Sequence, residues 1–240
     1  MRLPSGGMRP LMVRGAVIAT SLVLIGAIPA PAGATSTFMR WKFASDLRAH
    51  PNRNPVTSSF GKPTAWSLRQ SKSLQRDGDY RLLPAYSPTF GSAGLKAWHS
   101  NQSGNCGRLP AIGVNTIAKS VPLCTARVPG SAAFAVPTST RMPVVAWTSA
   151  YSGSVSISHD AIADLDTTCG DGVSYFVDRD TTQLAAVTIT NGGSTTLPQM
   201  LVPIKKGESL YFIVSPGTNN NSRCDTTQLQ ITIDGTVVVS

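Results

Sequence analysis

The sequence predicts an all-β domain of the antiparallel sandwich or barrel kind. Three observations carry this expectation. From Val144 onward, short apolar or alternating runs recur between turn signals, at the spacing of a strand-rich domain. Glu208 is the only glutamate in 240 residues and charged residues make up 14% of the chain, a composition unsuited to amphipathic helices and coiled coils. The 41% hydrophobic fraction can build a packed core, which excludes a wholly disordered chain.

The expected strands follow in order. Val144–Trp147, Ser154–Ser158, Val173–Asp178, Leu184–Thr190, Leu197–Pro203, Leu210–Val214 and Leu229–Ile233 are the runs. Tyr151-Ser152-Gly153, Asp171-Gly172, Asn191-Gly192-Gly193, Lys206-Gly207 and Asp234-Gly235 are the turns. Leu229, Ile231 and Ile233 alternate with Gln230 and Thr232, as one buried and one wet face require. Leu210–Val214 is apolar on both faces, which suits a central strand. Before Val144 the pattern is weaker. Met39–Phe43 alternates and reads as a first strand with Trp41 and Phe43 on one face. Pro51, Pro55, Pro63, Pro84 and Pro88 then indicate long loops, with short strands near Tyr80–Leu83 and Leu95–Trp98. A strand at Met39–Phe43 needs partners. Residues 35–240 are therefore expected to form a single domain, loop-rich over 35–131 and strand-rich over 132–240, with little helix.

Residues 1–34 read as a secretory signal peptide that is removed. Arg2, Arg9 and Arg14 form a positive start, Gly15–Ile28 is an apolar run, and Ala32-Gly33-Ala34 offers small residues for cleavage. The apolar run is too short for an ordinary membrane span. Removing 34 of 240 residues leaves 206, and the loss of three arginines lowers the net charge from +9 to +6. The remaining charge is uneven. Residues 35–127 carry 13 Lys/Arg against three Asp, and residues 128–240 carry five against nine acids. The basic part is either a solvated surface or an attractor of acidic polymers. No recognition motif or basic aromatic-rich helix points to nucleic acid. The expected location is extracellular or periplasmic, with no membrane span.

Four cysteines in an exported chain, Cys106, Cys124, Cys169 and Cys224, imply two disulfides. The sequential pairing Cys106–Cys124 and Cys169–Cys224 is favoured among three connectivities. With no CxxC pair and only three His, a zinc site is the weaker reading.

Three groups of residues resemble a known family. Trp41-Lys-Phe43 with Val145-Ala-Trp147 and Gly153-Ser-Val-Ser-Ile157 form the first. Asp164-Leu-Asp166 with Cys169-Gly-Asp-Gly-Val173 form the second. Lys206-Gly-Glu-Ser-Leu-Tyr-Phe-Ile-Val214 and the Asn-rich run ending at Asp225 form the third. Together they resemble the secreted jelly-roll β-sandwich modules that occur alone or attached to bacterial carbohydrate-active enzymes. The resemblance implies a jelly roll, carbohydrate binding and a structural calcium ion. The cysteines lie outside the family pattern, and Lys206-Gly207-Glu208 replaces its more usual Gly-Asp turn.

The acidic loop is the most informative constellation. Asp164, Asp166 and Asp171 lie within eight residues, and a Cys169–Cys224 bond would bring Asp225 beside them. Carboxylates gathered this way repel one another unless a cation or several donors neutralise them. Asp oxygens, backbone carbonyls and Asn221 suit Ca²⁺, though the spacing is not that of an EF-hand. Equally, the Asp side chains would cap turns, with Arg179 or Arg223 as counter-charge.

Candidate ligand contacts fall in the loop-rich part. Sugar C–H faces stack on aromatic rings, and Trp98-His99-Ser100-Asn101-Gln102 sets a ring beside hydrogen-bonding groups. Trp98, Trp66, His99, Asn101 and Tyr86 are the expected contacts, with a polysaccharide or cell-surface glycan as partner. Trp41 and Trp147, both in strand patterns, are expected in the core. Catalysis has little support: there is no G-x-S-x-G elbow, H-E-x-x-H helix or Cys–His context. Carbohydrate binding without catalysis is the first expectation. A small lyase-like enzyme using His99 with Tyr80 or Tyr86, or a structural or adhesive surface protein, are the alternatives.

Overall fold

A computed structural model describes residues 35–58, 65–104 and 107–239. The segment read as a signal peptide lies outside the described residues, which all belong to one compact unit.

The chain opens with β1 (Thr35–Lys42), α1 (Phe43–Ala49) and β2 (Trp66–Gln70). The short strands β3 (Arg81–Leu82) and β4 (Ala85–Ser87) precede a long hairpin of β5 (Leu95–Gly104) and β6 (Gly107–Asn115). Next come a small hairpin, β7 (Val121–Leu123) and β8 (Ala126–Val128), then β9 (Ala133–Val136) and β10 (Pro143–Thr148). The regular part continues with β11 (Gly153–Asp164), β12 (Val173–Arg179), β13 (Thr182–Ile189), β14 (Ser194–Thr195), β15 (Met200–Ile204), β16 (Ser209–Pro216) and β17 (Thr227–Val239).

Every strand pairing among the described residues is antiparallel. One sheet runs β14-β11-β17-β9-β6-β5-β4, with β1 also on β17 and β15 also on β11. The second runs β13-β12-β16-β10-β2-β3. One core joins the two. The first sheet supplies Trp41, Ile112, Val155, Ile157, Leu229, Ile231 and Ile233, and the second supplies Trp66, Leu68, Val145, Trp147, Tyr175, Leu210, Phe212 and Val214. The fold is thus two antiparallel sheets face to face, as the alternation of Leu229, Ile231 and Ile233 anticipates. Trp41 and Trp147 meet edge-to-face at 5.2 Å, an arrangement that adds about 1 kcal/mol to their burial.

The doubly apolar Leu210–Val214 run is explained by a second layer. Tyr211 and Ile213 point away from the main core and, with Val144 and Phe176, are covered by Tyr80 and Leu74. The covering segment is pinned by Arg76, whose Nη1 bonds both oxygens of the buried Asp178 at 2.6 and 2.9 Å. On the outer side of the first sheet, Phe90, Val121, Leu123 and Val128 likewise cover Ala97, Ala111 and Phe134. Both outer faces are therefore partly roofed.

Two expectations are corrected. The stretch 35–131 is not mainly loops: it supplies β1, β4, β5 and β6 to one sheet and β2 and β3 to the other. The expected first strand ends at Lys42, and Phe43 instead opens α1, which buries Phe43 and Leu47. Of the two expected disulfides, Cys169–Cys224 lies among the described residues, with Cα atoms 5.6 Å apart. The other pairing involves Cys106, outside the described residues.

Candidate functional site

Asp164, Asp166, Asp171 and Asp225 come together at one end of the sandwich. Asp164 closes β11, Asp166 and Asp171 lie in the β11–β12 connection, and Asp225 lies in the β16–β17 connection. Several ties hold these loops. Leu165 N–H donates to Thr226 O (2.8 Å), Asp164 N–H donates to Gly193 O (2.9 Å), and Cys169–Cys224 bridges the two connections. The Asn191 amide, in the orientation that satisfies it, donates to the Asp166 and Cys169 carbonyls at 2.8 Å each. Gly170 permits the close approach: its φ is +103°, and a Cβ there would sit 2.7 Å from Arg223 O.

The four carboxylates differ in their partners. Asp166 is satisfied, its oxygens accepting from the Thr125 hydroxyl and from Thr226 N–H (3.0 Å). It ties the loops together. Asp164 Oδ1 accepts from Asp166 N–H, and Asp171 Oδ2 accepts from Asn219 N–H, at 3.1 and 3.2 Å. Asp164 Oδ2, Asp171 Oδ1 and both oxygens of Asp225 are buried with no hydrogen-bond partner. A buried carboxylate oxygen without a donor is costly. Four such oxygens gathered in one loop cluster concentrate uncompensated acceptors at this end of the sandwich. Burial, reinforced by the neighbouring Asp164, Asp171 and Asp166 carboxylates, pushes Asp225 up to about 8. Asp164 rises to about 7, chiefly through burial. Neither expected counter-ion serves the cluster directly: Arg179 donates to Pro203 O, and Arg223 is exposed.

These are hard oxygen donors, suited to Ca²⁺ and not to zinc. No three His, Cys, Asp or Glu side chains among the described residues converge as a ready-made metal cage. A cation here would complete its shell from backbone carbonyls and from solvent or ligand oxygens, as Ca²⁺ commonly does.

Two clefts flank the β5–β6 hairpin. The first, of about 600 Å³, is lined by Tyr86, Pro88, Phe90, His99 and Arg108 among others. The second, of about 520 Å³, lies beside the acidic cluster and is lined by Gln102, Ser139, Thr140, Ser222 and Asp225 among others.

The expected sugar contacts distribute unevenly around them. Tyr86 and His99 line the first cleft. His99 stacks on Phe90 at 5.8 Å and its Nδ1 lies 2.8 Å from Ser100 O. A carbonyl only accepts, so Nδ1 carries the proton and Nε2 is left as an acceptor. Trp98 lies half-buried behind Tyr86, ring centres 5.5 Å apart, with its Nε1–H donating to Pro51 O. It buttresses Tyr86 from outside the cleft. Asn101 is exposed and lines neither cleft. Trp66 is a correction. It is wholly buried between Phe43 and Phe212, its Nε1–H donates to Asp46 Oδ2 at 2.9 Å, and no ligand reaches it.

Sequence reasoning missed Arg108, Thr125 and the Thr138-Ser139-Thr140 loop between β9 and β10. The only signal for the last was its run of hydroxyls between two apolar segments.

No family model and no curated protein matches the chain. Among solved structures it is similar to the carbohydrate-binding module CBM51 from Clostridium perfringens GH95 in complex with methyl-galactose. Identity is 12%, over 56% of this chain and 91% of that one, with a TM-score of 0.37. It is similar to Arthrobacter globiformis T6 isomalto-dextranase complexed with panose (14% identity, 75% of this chain, 24% of that one, TM-score 0.26). Dimeric latent PorU from Porphyromonas gingivalis is a third (10% identity, 86% and 24%, TM-score 0.32). The chain thus spans about a quarter of the latter two. TM-scores this low leave the functional argument to the site itself.

Proposed function

We propose that this chain is a secreted, non-catalytic carbohydrate-binding module with a structural calcium ion. The observation that carries the binding reading is the open cleft at β4–β5. It combines a ring buttressed from behind (Tyr86 on Trp98), an acceptor (His99 Nε2) and an exposed cation (Arg108). A sugar presents an apolar C–H face for such a ring and hydroxyls for such polar groups. His99 serves as a hydrogen-bonding wall, not as the base of a lyase.

The winding also supports this reading. β9 pairs with β17 and β10 with β16, while β11 lies on the other side of β17 and β12 on the other side of β16. β13 then extends β12, and β15 extends β11. That order supports the reading of residues 133–239 as a jelly roll. The orphaned oxygens of Asp164, Asp171 and Asp225 are the residues that would hold the calcium, whose charge would neutralise them and fasten the two loops. Export by the 1–34 segment and a second disulfide at Cys106–Cys124 complete the proposal.

The test is retention of the oxidised protein in gels containing neutral and acidic polysaccharides, repeated at moderate salt to remove simple charge attraction. Retention by one glycan that survives salt, and an affinity about tenfold weaker in Tyr86→Ala, is expected. Uniform retention that vanishes with salt would refute carbohydrate binding. Turnover of the polysaccharide, lost in His99→Gln, would refute the non-catalytic assignment.

A further inference from the structure

An edge strand presents unpaired N–H and C=O groups, and folds blunt such edges by shortness, charge or proline. Most edges among the described residues are blunted in one of these ways. β3, β4 and β14 are two, three and two residues long, and the strands of the β7–β8 hairpin are three each. β1 carries the exposed Arg40 and Lys42, and β15 carries Pro203. β13 is the exception. It ends the second sheet, runs for eight residues (Thr182–Ile189), and contains no charged residue, proline or glycine. No charged residue occurs anywhere from Thr181 to Ile204. The register with β12 slips at Leu184, since Val177 faces Ala185 while Asp178 faces Gln183, but Ala185–Ile189 then pair without interruption. Alternate residues of this stretch turn their N–H and C=O groups outward.

The side chains of β13 leave the core thinly covered. Ala185, Val187 and Ile189 stand opposite the core residues Val177, Tyr175 and Val173. Ile189 is buried, but Ala185 and Val187 are only half-buried, and Ala186 and Thr188 on the other face are exposed. The edge thus offers both open backbone groups and an apolar rim. A second copy of the chain matches both. An antiparallel strand is complementary to itself across a two-fold axis, and a strand without charges brings no like charges together there. The strand is also already extended in each copy, so pairing costs less ordering than capture of a free peptide. We infer that β13 pairs antiparallel with β13 of a second copy about a two-fold axis at Val187, so that the two smaller sheets become one. Ala186 of each copy then stands opposite Thr188 of the other, and the two Val187 side chains close the rim. The inference goes beyond the carbohydrate reading and does not depend on it. A dimer of this kind would present two Tyr86 clefts to one polysaccharide.

Sedimentation equilibrium of the oxidised protein over a concentration series tests the pairing. The wild type should pass from monomer to dimer. A double variant, Ala186→Lys with Thr188→Lys, places lysines opposite lysines across the axis and should dimerise at least about tenfold more weakly. Both positions are exposed, so the variant should keep the wild-type Tm. The matching variant, Ala186→Glu with Thr188→Glu, should be equally weak alone. An equimolar mixture of the two should recover the dimer, because each lysine then meets a glutamate. Leu201→Ser on β15, which removes a side chain 75% exposed, should leave dimerisation unchanged. A wild type that stays monomeric up to about 1 mM would overturn the inference, whether or not β13 then takes up an extended peptide. So would a lysine variant that dimerises as the wild type does, a mixture that fails to recover the dimer, or a dimer lost with Leu201. None of these results bears on glycan retention by the single chain, so the carbohydrate reading stands or falls separately.

Discussion

Asp225→Asn should stabilise the protein in chelator at pH 8 while destroying its response to calcium. Asp225 keeps a proton in the folded protein up to about 8, whereas an ordinary Asp loses it near 3.8. Between those values the folded state binds the extra proton, so stability falls as pH rises through this range. Between pH 5 and pH 8 this removes on the order of a few kcal/mol. For a domain of this size that is a Tm change of roughly 10 °C. Asparagine does not titrate, so in chelator the variant should melt near the wild type at pH 5 and well above it at pH 8. His159 contributes a slope of opposite sign, but it is present in both proteins and cancels in the comparison. With saturating calcium at pH 8 the order should reverse, because binding to the folded state alone raises wild-type stability. Differential scanning calorimetry of both proteins at the two pH values, with calcium and with chelator, makes the measurement. An equal Tm difference at pH 5 and pH 8 in chelator, or a variant that still gains from calcium, would refute the reasoning.

Other outcomes follow from single contacts. Arg76→Ala strands the buried Asp178 carboxylate and removes the cation lying 4.1 Å from the Phe176 ring centre. It should cost about 3 kcal/mol by urea denaturation, with glycan affinity unchanged. Trp66→Phe gives up the hydrogen bond to Asp46 and part of a filled core, and should lose roughly 2 kcal/mol without altering retention in any gel. Burial lowers His159 from 6.5 to about 4. Since the unfolded chain takes up that proton first, stability should drop as pH falls from 6.5 toward 4, and His159→Gln should flatten this slope in acid melts. Replacing Cys169 and Cys224 by Ser opens a link spanning 55 residues and should cost about 4 kcal/mol in the chain-entropy model. The same change should weaken any calcium-dependent rise in Tm, because the bond holds the Asp171 loop against the Asp225 loop.

The strands after Val144 were legible because each is a short run with its own turn signal and an alternating or doubly apolar pattern. The acidic cluster was legible because one disulfide assumption carried Asp225 to the other three. The missed elements break local rules for tertiary reasons. β6 contains Pro110 and Gly113, both of which read as strand breakers. Gly113 is required there, since a Cβ would collide with the Phe134 ring and the Lys96 carbonyl. β9 is an alanine-rich tetrapeptide, weak in strand propensity, yet it lies wholly buried between β6 and β17. Trp66 sits among prolines and polar residues that suggest an exposed loop, but its indole N–H is met by a carboxylate from α1, a seven-residue helix too short for periodicity to reveal. The cleft beside the acidic cluster could not be read at all, because its walls come from the β5–β6 hairpin, the β9–β10 connection and the β16–β17 connection, far apart in sequence.

The long strand β17 sets a timetable for the whole domain. It lies in the interior of the larger sheet, with β11 along one edge and β1 and β9 sharing the other. Residues 35–42 must therefore wait for residues 232–239 before they can pair. A chain emerging from the ribosome holds its opening strand, and the central row of its sheet, unmatched until nearly all the described residues have been made. Contacts of such long sequence separation make folding slow.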